Sequence, residues 1–200
     1  DGKMDMRYIK HKGPKVDRCS ICGEMKALSW DHVPPKAVLA NPDTYASTLF
    51  WDEGMPSAQH HMRHYQCGIK YRTVCAECNN VLIGKNDEAY KEFHSAVVER
   101  LRIASLGVRQ GLVMPSSITV HTRINRVLRA ICGHFLAMKQ GYDDGATVDG
   151  CLRAYLQDET IKMDGIYVFS WFYPYPSVVN ARDFSVHGSS AHTHPKGFNR

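Results

Sequence analysis

An α+β fold is predicted by three features of the sequence. Two Cys-x-x-Cys pairs, at residues 19–22 and 75–78, have the spacing of zinc knuckles. Apolar residues recur at helical spacing over residues 122–139, and Gly141 follows as a stop signal. A continuously apolar run over residues 166–173, ended by prolines, has the composition of a strand. With 44% hydrophobic residues, a chain of 200 residues is long enough to bury a core around such elements.

The two knuckles predict a four-cysteine metal site. Each pair presents two thiolates on a tight turn, and four thiolates complete the tetrahedral shell that structural Zn²⁺ prefers. Gly23 and Asn79 follow the two pairs, where a turn with positive φ would need them. The alternatives are two reduced pairs that never meet, or disulfides in an exported protein. The candidate zinc ligands are Cys19, Cys22, Cys75 and Cys78.

Composition favours a cytoplasmic protein without a membrane anchor. The chain has seven cysteines, an odd number, and no apolar run long enough for a signal peptide or a membrane span. We therefore expect a reducing compartment, where disulfides are rare. The net charge of +5 is too small to identify a partner by itself.

The distribution of charge is more informative than its sum. Residues 100–142 contain no Asp or Glu but several basic residues, and such a segment attracts phosphate backbones. Arg123, Arg126 and Arg129 follow at helical spacing and are expected to form one ridge. Arg123 and Arg126 are therefore candidate nucleic-acid contacts. The alternative is a solvated helix face that needs no partner.

Asp31 and His32 form an acid–imidazole pair between the knuckles. On an extended segment, adjacent side chains point to opposite faces, so only a bulge or a strand end lets both serve one site. Pro34 and Pro35 stiffen the exit of this segment. Lys36 follows and is a candidate contact to a phosphate.

The run from Asp31 to Lys36, with the knuckles and Asn79, resembles the HNH or ββα-metal endonucleases of the four-cysteine type. The resemblance covers residues 19–101. It implies strands at 27–32 and 71–74 and a helix at 80–101. We accordingly expect an HNH nuclease domain at 16–105, with an insertion at 37–70. A small α+β cap is expected at 106–187, where residues 148–156 favour a further short helix, and a flexible tail at 188–200.

The resemblance also implies a chemistry. Asp31 and Asn79 would bind one Mg²⁺ or Mn²⁺ through oxygen atoms, and His32 would be the general base that activates water. The activity would be hydrolysis of phosphodiester bonds in DNA, most simply double-stranded DNA. Proteins with these motifs suggest an effector of prokaryotic anti-phage defence or restriction, with an activating or target-recognising protein partner as a further expectation.

One position departs from the family pattern. The middle motif residue, usually Asn, corresponds to Lys70, which cannot accept a hydrogen bond from the imidazole N–H. A main-chain carbonyl could orient the ring instead. The departure keeps a second function open, a catalytically inactive zinc-stapled module that binds nucleic acid. In such a module Arg123 and Arg126 would matter more than Asp31 or Asn79.

Several other residues are expected to have structural roles. The helix either runs through Gly84 or breaks there, in which case Asn86 or Asp87 is expected to cap the part that follows. Asp87 is also a possible metal ligand. Cys132 and His134 lie in the apolar helix and are expected to be packed rather than catalytic. The insertion's histidines and cysteine are expected to be surface or packing residues. They are His60, His61, His64 and Cys67.

Overall fold

The structure is a computed structural model that describes residues 13–38, 43–46, 63–66, 69–113, 115–139, 141–145 and 147–169. In this part of the chain it is a mixed α/β protein, which confirms the predicted class at that level. The strands are β1 (Val16–Arg18), β2 (Met25–His32), β3 (Asp43–Ala46), β4 (Arg63–Gln66) and β5 (Lys70–Cys75). A π-helix (Cys78–Ile83) precedes the helices α1 (Gly84–Arg109), α2 (Ile124–Met138) and α3 (Thr147–Gln157).

Strands β1, β2 and β5 form an antiparallel sheet in that order. The predicted strands at 27–32 and 71–74 are confirmed within β2 and β5, whereas β1 was not predicted. The register between β2 and β5 shifts between Ser29 and Asp31, after which His32 lies opposite Lys70. The expected bulge is therefore present, directly before the Asp31–His32 pair.

The insertion contains a second pair of strands. β3 and β4 are antiparallel, with Asp43 opposite Gln66. His60, His61 and Cys67 lie outside the described residues, so their expected surface or packing role stays a prediction.

The helix that follows β5 is longer than predicted. The π-helix leads directly into α1, and Gly84 has helical dihedral angles, φ −58° and ψ −33°. Its N–H donates to the carbonyl of Asn79, so the chain does not break there. The predicted capping role of Asp87 is therefore wrong, because Asp87 lies inside the continuous helix.

The region after α1 contains two helices and no strand in its described part. Helices α2 and α3 confirm the predictions at 122–139 and 148–156 to within two residues, and Gly141 has a φ of +83° beyond the end of α2. The predicted strand at 166–173 is absent from residues 166–169, and its remainder is not described. The rings of Tyr167 and Phe169 are exposed there, so the apolar run finds no pairing strand among the described residues.

One cluster of buried residues joins these elements. It contains the knuckle residue Ile21, Val74 of β5, Ile83 of the π-helix, Leu136 of α2 and Leu156 of α3. The region expected to be a small α+β cap thus shares its buried core with the knuckles. Within the described segments, no helix has the length and apolarity needed to cross a membrane.

Helix α2 approaches the π-helix closely at Gly133. A Cβ atom built on Gly133 would lie 2.8 Å from Cγ1 of Ile83, which is fully buried. Helix α2 therefore crosses the π-helix at a distance that only glycine permits. This approach brings the neighbouring residue His134 close to the end of β2.

Candidate functional site

The four predicted cysteines come together in space. Their sulfur atoms all lie within 4.8 Å of one another, and the thiols are free rather than joined in disulfides. Four sulfurs bound to Zn²⁺ at about 2.3 Å are about 3.8 Å apart, so the group is compatible with a tetrahedral structural zinc site. We call these residues the cysteine cluster. Its formation excludes the alternative in which the two pairs never meet.

Hydrogen bonds and crowding set the charge of the cluster. The backbone N–H of Cys75 donates to Sγ of Cys19 at 3.2 Å. A hydrogen bond with Cys78, opposed by burial and aided by backbone N–H groups, lowers the pKa of Cys19 to about 4. The same contact raises the pKa of Cys78, and burial raises that of Cys22. Four sulfurs this close therefore resist full ionisation on their own, and a bound cation would favour the thiolate forms.

The first knuckle is anchored to α3. Nε of Arg153 donates to the carbonyl of Ser20 at 2.9 Å, and Nε2 of Gln157 donates to that of Ile21 at 2.9 Å. Gly23 has the predicted positive φ, +74°. The conformation of the first knuckle therefore depends on the packing of α3 against it.

Asn79 lies in the π-helix, so the prediction that it occupies a positive-φ turn is wrong. Its side-chain amide nitrogen donates to the carbonyl of Trp30 at 2.9 Å and to the hydroxyl of Ser29 at 3.2 Å. The first of these partners is the residue before Asp31. The contact therefore fixes the start of the helix against the end of β2, and Asn79 comes close to the Asp31–His32 pair.

His32 is half-buried beside two lysines. Burial lowers the pKa of His32, and the charges of Lys70 and Lys36 lower it further, against the opposing effect of Asp31. Lys70 is the residue directly opposite His32 on β5. Nε2 of His32 is buried and has no hydrogen-bond partner among the described residues. The lowered pKa of His32 favours the neutral imidazole near neutral pH.

His134 was not assigned to the site by sequence reasoning. Its Nδ1 lies 2.9 Å from Oδ2 of Asp31, and its Nε2 lies 3.0 Å from Oδ1 of Asp87. Burial alone would lower the pKa of His134, but the hydrogen bonds to both carboxylates outweigh it and raise the pKa to about 9. The prediction that His134 is buried is correct. Its polar contacts had no signal in the sequence, because helical periodicity does not show which strand end a helix faces.

The predicted arginine ridge is wrong for Arg129. This side chain is buried, donates to the carbonyls of Tyr155 and Asp158, and stacks on the ring of Tyr155 at 4.2 Å. It belongs to the packing of α2 on α3. Arg123 is exposed and pairs with Glu92 at 2.8 Å.

The remaining candidate nucleic-acid contacts do not form one surface with Arg129. Arg126 is half-buried and Lys36 is exposed. Binding of nucleic acid by Arg123, Arg126 and Lys36 stays a prediction.

Comparison of the chain with models of known protein families, with curated proteins and with solved structures gave no match. The resemblance to HNH endonucleases therefore depends on the sequence motifs.

Proposed function

We propose that the chain is a metal-dependent HNH endonuclease that hydrolyses phosphodiester bonds in DNA. The proposal is supported by the order of two antiparallel strands followed by a helix, with Asp31 and His32 ending β2. The observation that carries it is the hydrogen bond from Asn79 to the carbonyl of Trp30. This bond joins the strand end and the helix start, the two places that supply the proposed metal ligands.

Asp31 and Asn79 are the proposed ligands of a divalent cation, Mg²⁺ or Mn²⁺. Asp31 supplies a carboxylate, and Asn79 uses its amide nitrogen for Trp30, which leaves the amide oxygen as its ligand atom. Oxygen atoms of these types suit both ions. When bound, the cation would neutralise negative charge that develops on the scissile phosphate.

His32 is the proposed general base. It would accept a proton from the attacking water, and its lowered pKa keeps the imidazole neutral and able to do so near neutral pH. Lys70 and Lys36, whose charges act on His32, would attract the phosphate to the same place. Lys70 thus replaces the family's orienting residue with a cation that faces the substrate.

A structural zinc in the cysteine cluster would fix this geometry. Cys78 is the first residue of the π-helix and Asn79 is the second, so a metal that holds Cys78 also holds the proposed ligand beside it. Double-stranded DNA as substrate and a cytoplasmic role in anti-phage defence or restriction are proposed from the resemblance alone, as is an activating or target-recognising partner.

The test is nicking of supercoiled plasmid in Mg²⁺ or Mn²⁺ by the wild type, His32→Ala and His121→Ala. His121 is exposed in the segment before α2 and serves as the matched control. Reactions with EDTA establish the metal requirement, and zinc content is measured in every sample. We expect cleavage by the wild type and by His121→Ala, and a loss of about a hundredfold or more in His32→Ala.

The alternative function gives a different result. A zinc-stapled binding module would shift the plasmid in a gel without cutting it, and His32→Ala would bind as well as the wild type. A zinc-loaded wild type that binds DNA but does not cleave it in either metal would contradict the proposed activity.

A further inference from the structure

The imidazole of His134 joins three elements that sequence reasoning left apart. It extends from α2, and it contacts Asp31 at the end of β2 and Asp87 in the first turn of α1. The side chains of His134 and Asp31 are only 5% and 9% exposed, while that of Asp87 is 33% exposed. Each of these buried polar groups has a hydrogen-bond partner, so the contact offsets the cost of burial and holds the three side chains in fixed positions.

The two carboxylates occupy opposite sides of the ring. Because Asp31 lies at Nδ1 and Asp87 at Nε2, both cannot join His134 around one ion. A histidine that binds a metal through one nitrogen usually donates its other N–H to a carboxylate, which fixes the tautomer and the ring orientation. Asp87 is placed to accept the Nε2–H. A bound cation would displace the proton that Nδ1 shares with Asp31, and the lone pair of Nδ1 would then be available to that cation.

The distance between Nδ1 of His134 and Oδ2 of Asp31 suits a shared ion. Adjacent ligand atoms in an octahedral shell with bonds of about 2.1 Å are about 3.0 Å apart. The observed separation is 2.9 Å, so the pair can form one edge of such a shell without moving far. Nδ1 and Oδ2 are therefore spaced as two ligands of one ion would be.

We propose that His134 is a third protein ligand of the divalent ion at Asp31, through Nδ1, and that Asp87 is a positioning residue that orients its ring. This inference rests on the proposed function, since it concerns the same metal. It also limits which divalent ions the site is expected to prefer. An imidazole nitrogen beside carboxylate and amide oxygens suits first-row transition ions better than Mg²⁺, and Mn²⁺, which also accepts oxygen ligands, is the ion used in the test.

The test is pulsed electron paramagnetic resonance of Mn²⁺ added to the zinc-loaded protein. A directly bound imidazole produces ¹⁴N modulation of the electron spin echo, which is read without any activity. We expect this modulation in the wild type, in His32→Ala and in the exposed control His121→Ala. In His134→Gln we expect the modulation to disappear and the affinity for Mn²⁺ to fall at least tenfold.

Asp87→Asn provides a second variant that keeps the proposed ligand. It should retain the ¹⁴N modulation but bind Mn²⁺ about 10- to 100-fold more weakly, since loss of an orienting carboxylate has effects of this size. Circular dichroism and zinc content confirm that each variant is folded.

Failure of the inference and failure of the proposed function can be told apart. If Mn²⁺ binds the wild type and is lost in Asp31→Asn, but the wild type shows no ¹⁴N modulation or His134→Gln retains it, His134 is not a ligand and the metal site still stands. If Mn²⁺ binding is absent, or is unchanged in Asp31→Asn, both proposals are wrong.

Discussion

Replacement of Arg129 by methionine should destabilise the fold, whereas the same change at Arg123 should not. Both arginines lie at α2, one as the residue that precedes its first turn and one within it, and methionine keeps most of the aliphatic stem. The guanidinium of Arg129 donates to the carbonyls of Tyr155 and Asp158 at the end of α3. These carbonyls lack helical partners, so the arginine side chain satisfies them.

The expected magnitude follows from these contacts. A hydrogen bond to a charged group contributes about 1.5–3 kcal/mol, and a buried carbonyl left without a donor is costly. Because the two bonds share one side chain, we expect Arg129→Met to lose about 2–4 kcal/mol of unfolding free energy. The exposed Arg123–Glu92 pair contributes less than about 1 kcal/mol, so Arg123→Met should lose no more than that.

The assay is urea unfolding followed by circular dichroism, with zinc present in all samples. Equal midpoints for the two variants, at unchanged m-values, would refute the assignment of Arg129 to the packing of α2 on α3. A drop in DNA affinity for Arg129→Met without any loss of stability would instead restore the predicted basic ridge.

Four other expectations concern packing, thiols, pH and zinc. Gly133→Ala places a methyl group 2.8 Å from a buried isoleucine side chain and should lower the free energy of unfolding by about 1–3 kcal/mol, measured by thermal unfolding. Gly150→Ala, with open space around it, should leave the free energy of unfolding unchanged or raise it. Burial raises the pKa of Cys132 to about 11, so peptide mapping after brief alkylation should find the exposed Cys151 modified and Cys132 protected. Burial lowers the pKa of His94, so its imidazole binds a proton more readily in the unfolded chain than in the folded one. The free energy of unfolding should therefore fall as the pH drops below about 6.5. In acid titrations of stability, His94→Gln should reduce that fall. Chelation of zinc should loosen α3, whose side chains hold the first knuckle, and hydrogen exchange should rise there as well as in the knuckles.

The elements with strong local patterns were predictable from sequence. Helices α2 and α3 have clear helical periodicity, and the cysteine spacing predicted a cluster that the structure forms. The bulge before Asp31 also followed from a simple requirement, since neighbouring side chains on a regular strand face opposite ways. Each of these features depends on residues close together in the sequence, so it could be predicted without knowing the tertiary contacts.

The errors arose where tertiary contacts decide the structure. Arg129 has the same spacing as a solvated arginine, but the carbonyls at the end of α3 bind its guanidinium. The break considered at Gly84 does not occur, because the backbone stays helical there and the π-helix packs against α2. The strand predicted from residue 166 lacks a partner strand among the described residues, so its apolar composition was not sufficient there.

His134 shows the limit most clearly for the site. Its position on the buried face of α2 was predictable, but its contacts with Asp31 and Asp87 depend on how closely α2 approaches the π-helix at Gly133. The spacing of residues in the sequence does not show how closely two helices pack. Sequence reasoning therefore found the residues of the motif and missed the one that comes from another helix.

The central claim is that this chain holds two different metals, zinc in the cysteine cluster and a divalent ion at Asp31. Crystals grown with Mn²⁺ and measured at the zinc and manganese absorption edges test it directly. The account predicts a zinc peak about 2.3 Å from the four sulfurs and a separate manganese peak about 2.2 Å from a carboxylate oxygen of Asp31. A manganese signal that is absent from Asp31, or a cysteine cluster without zinc, would contradict it.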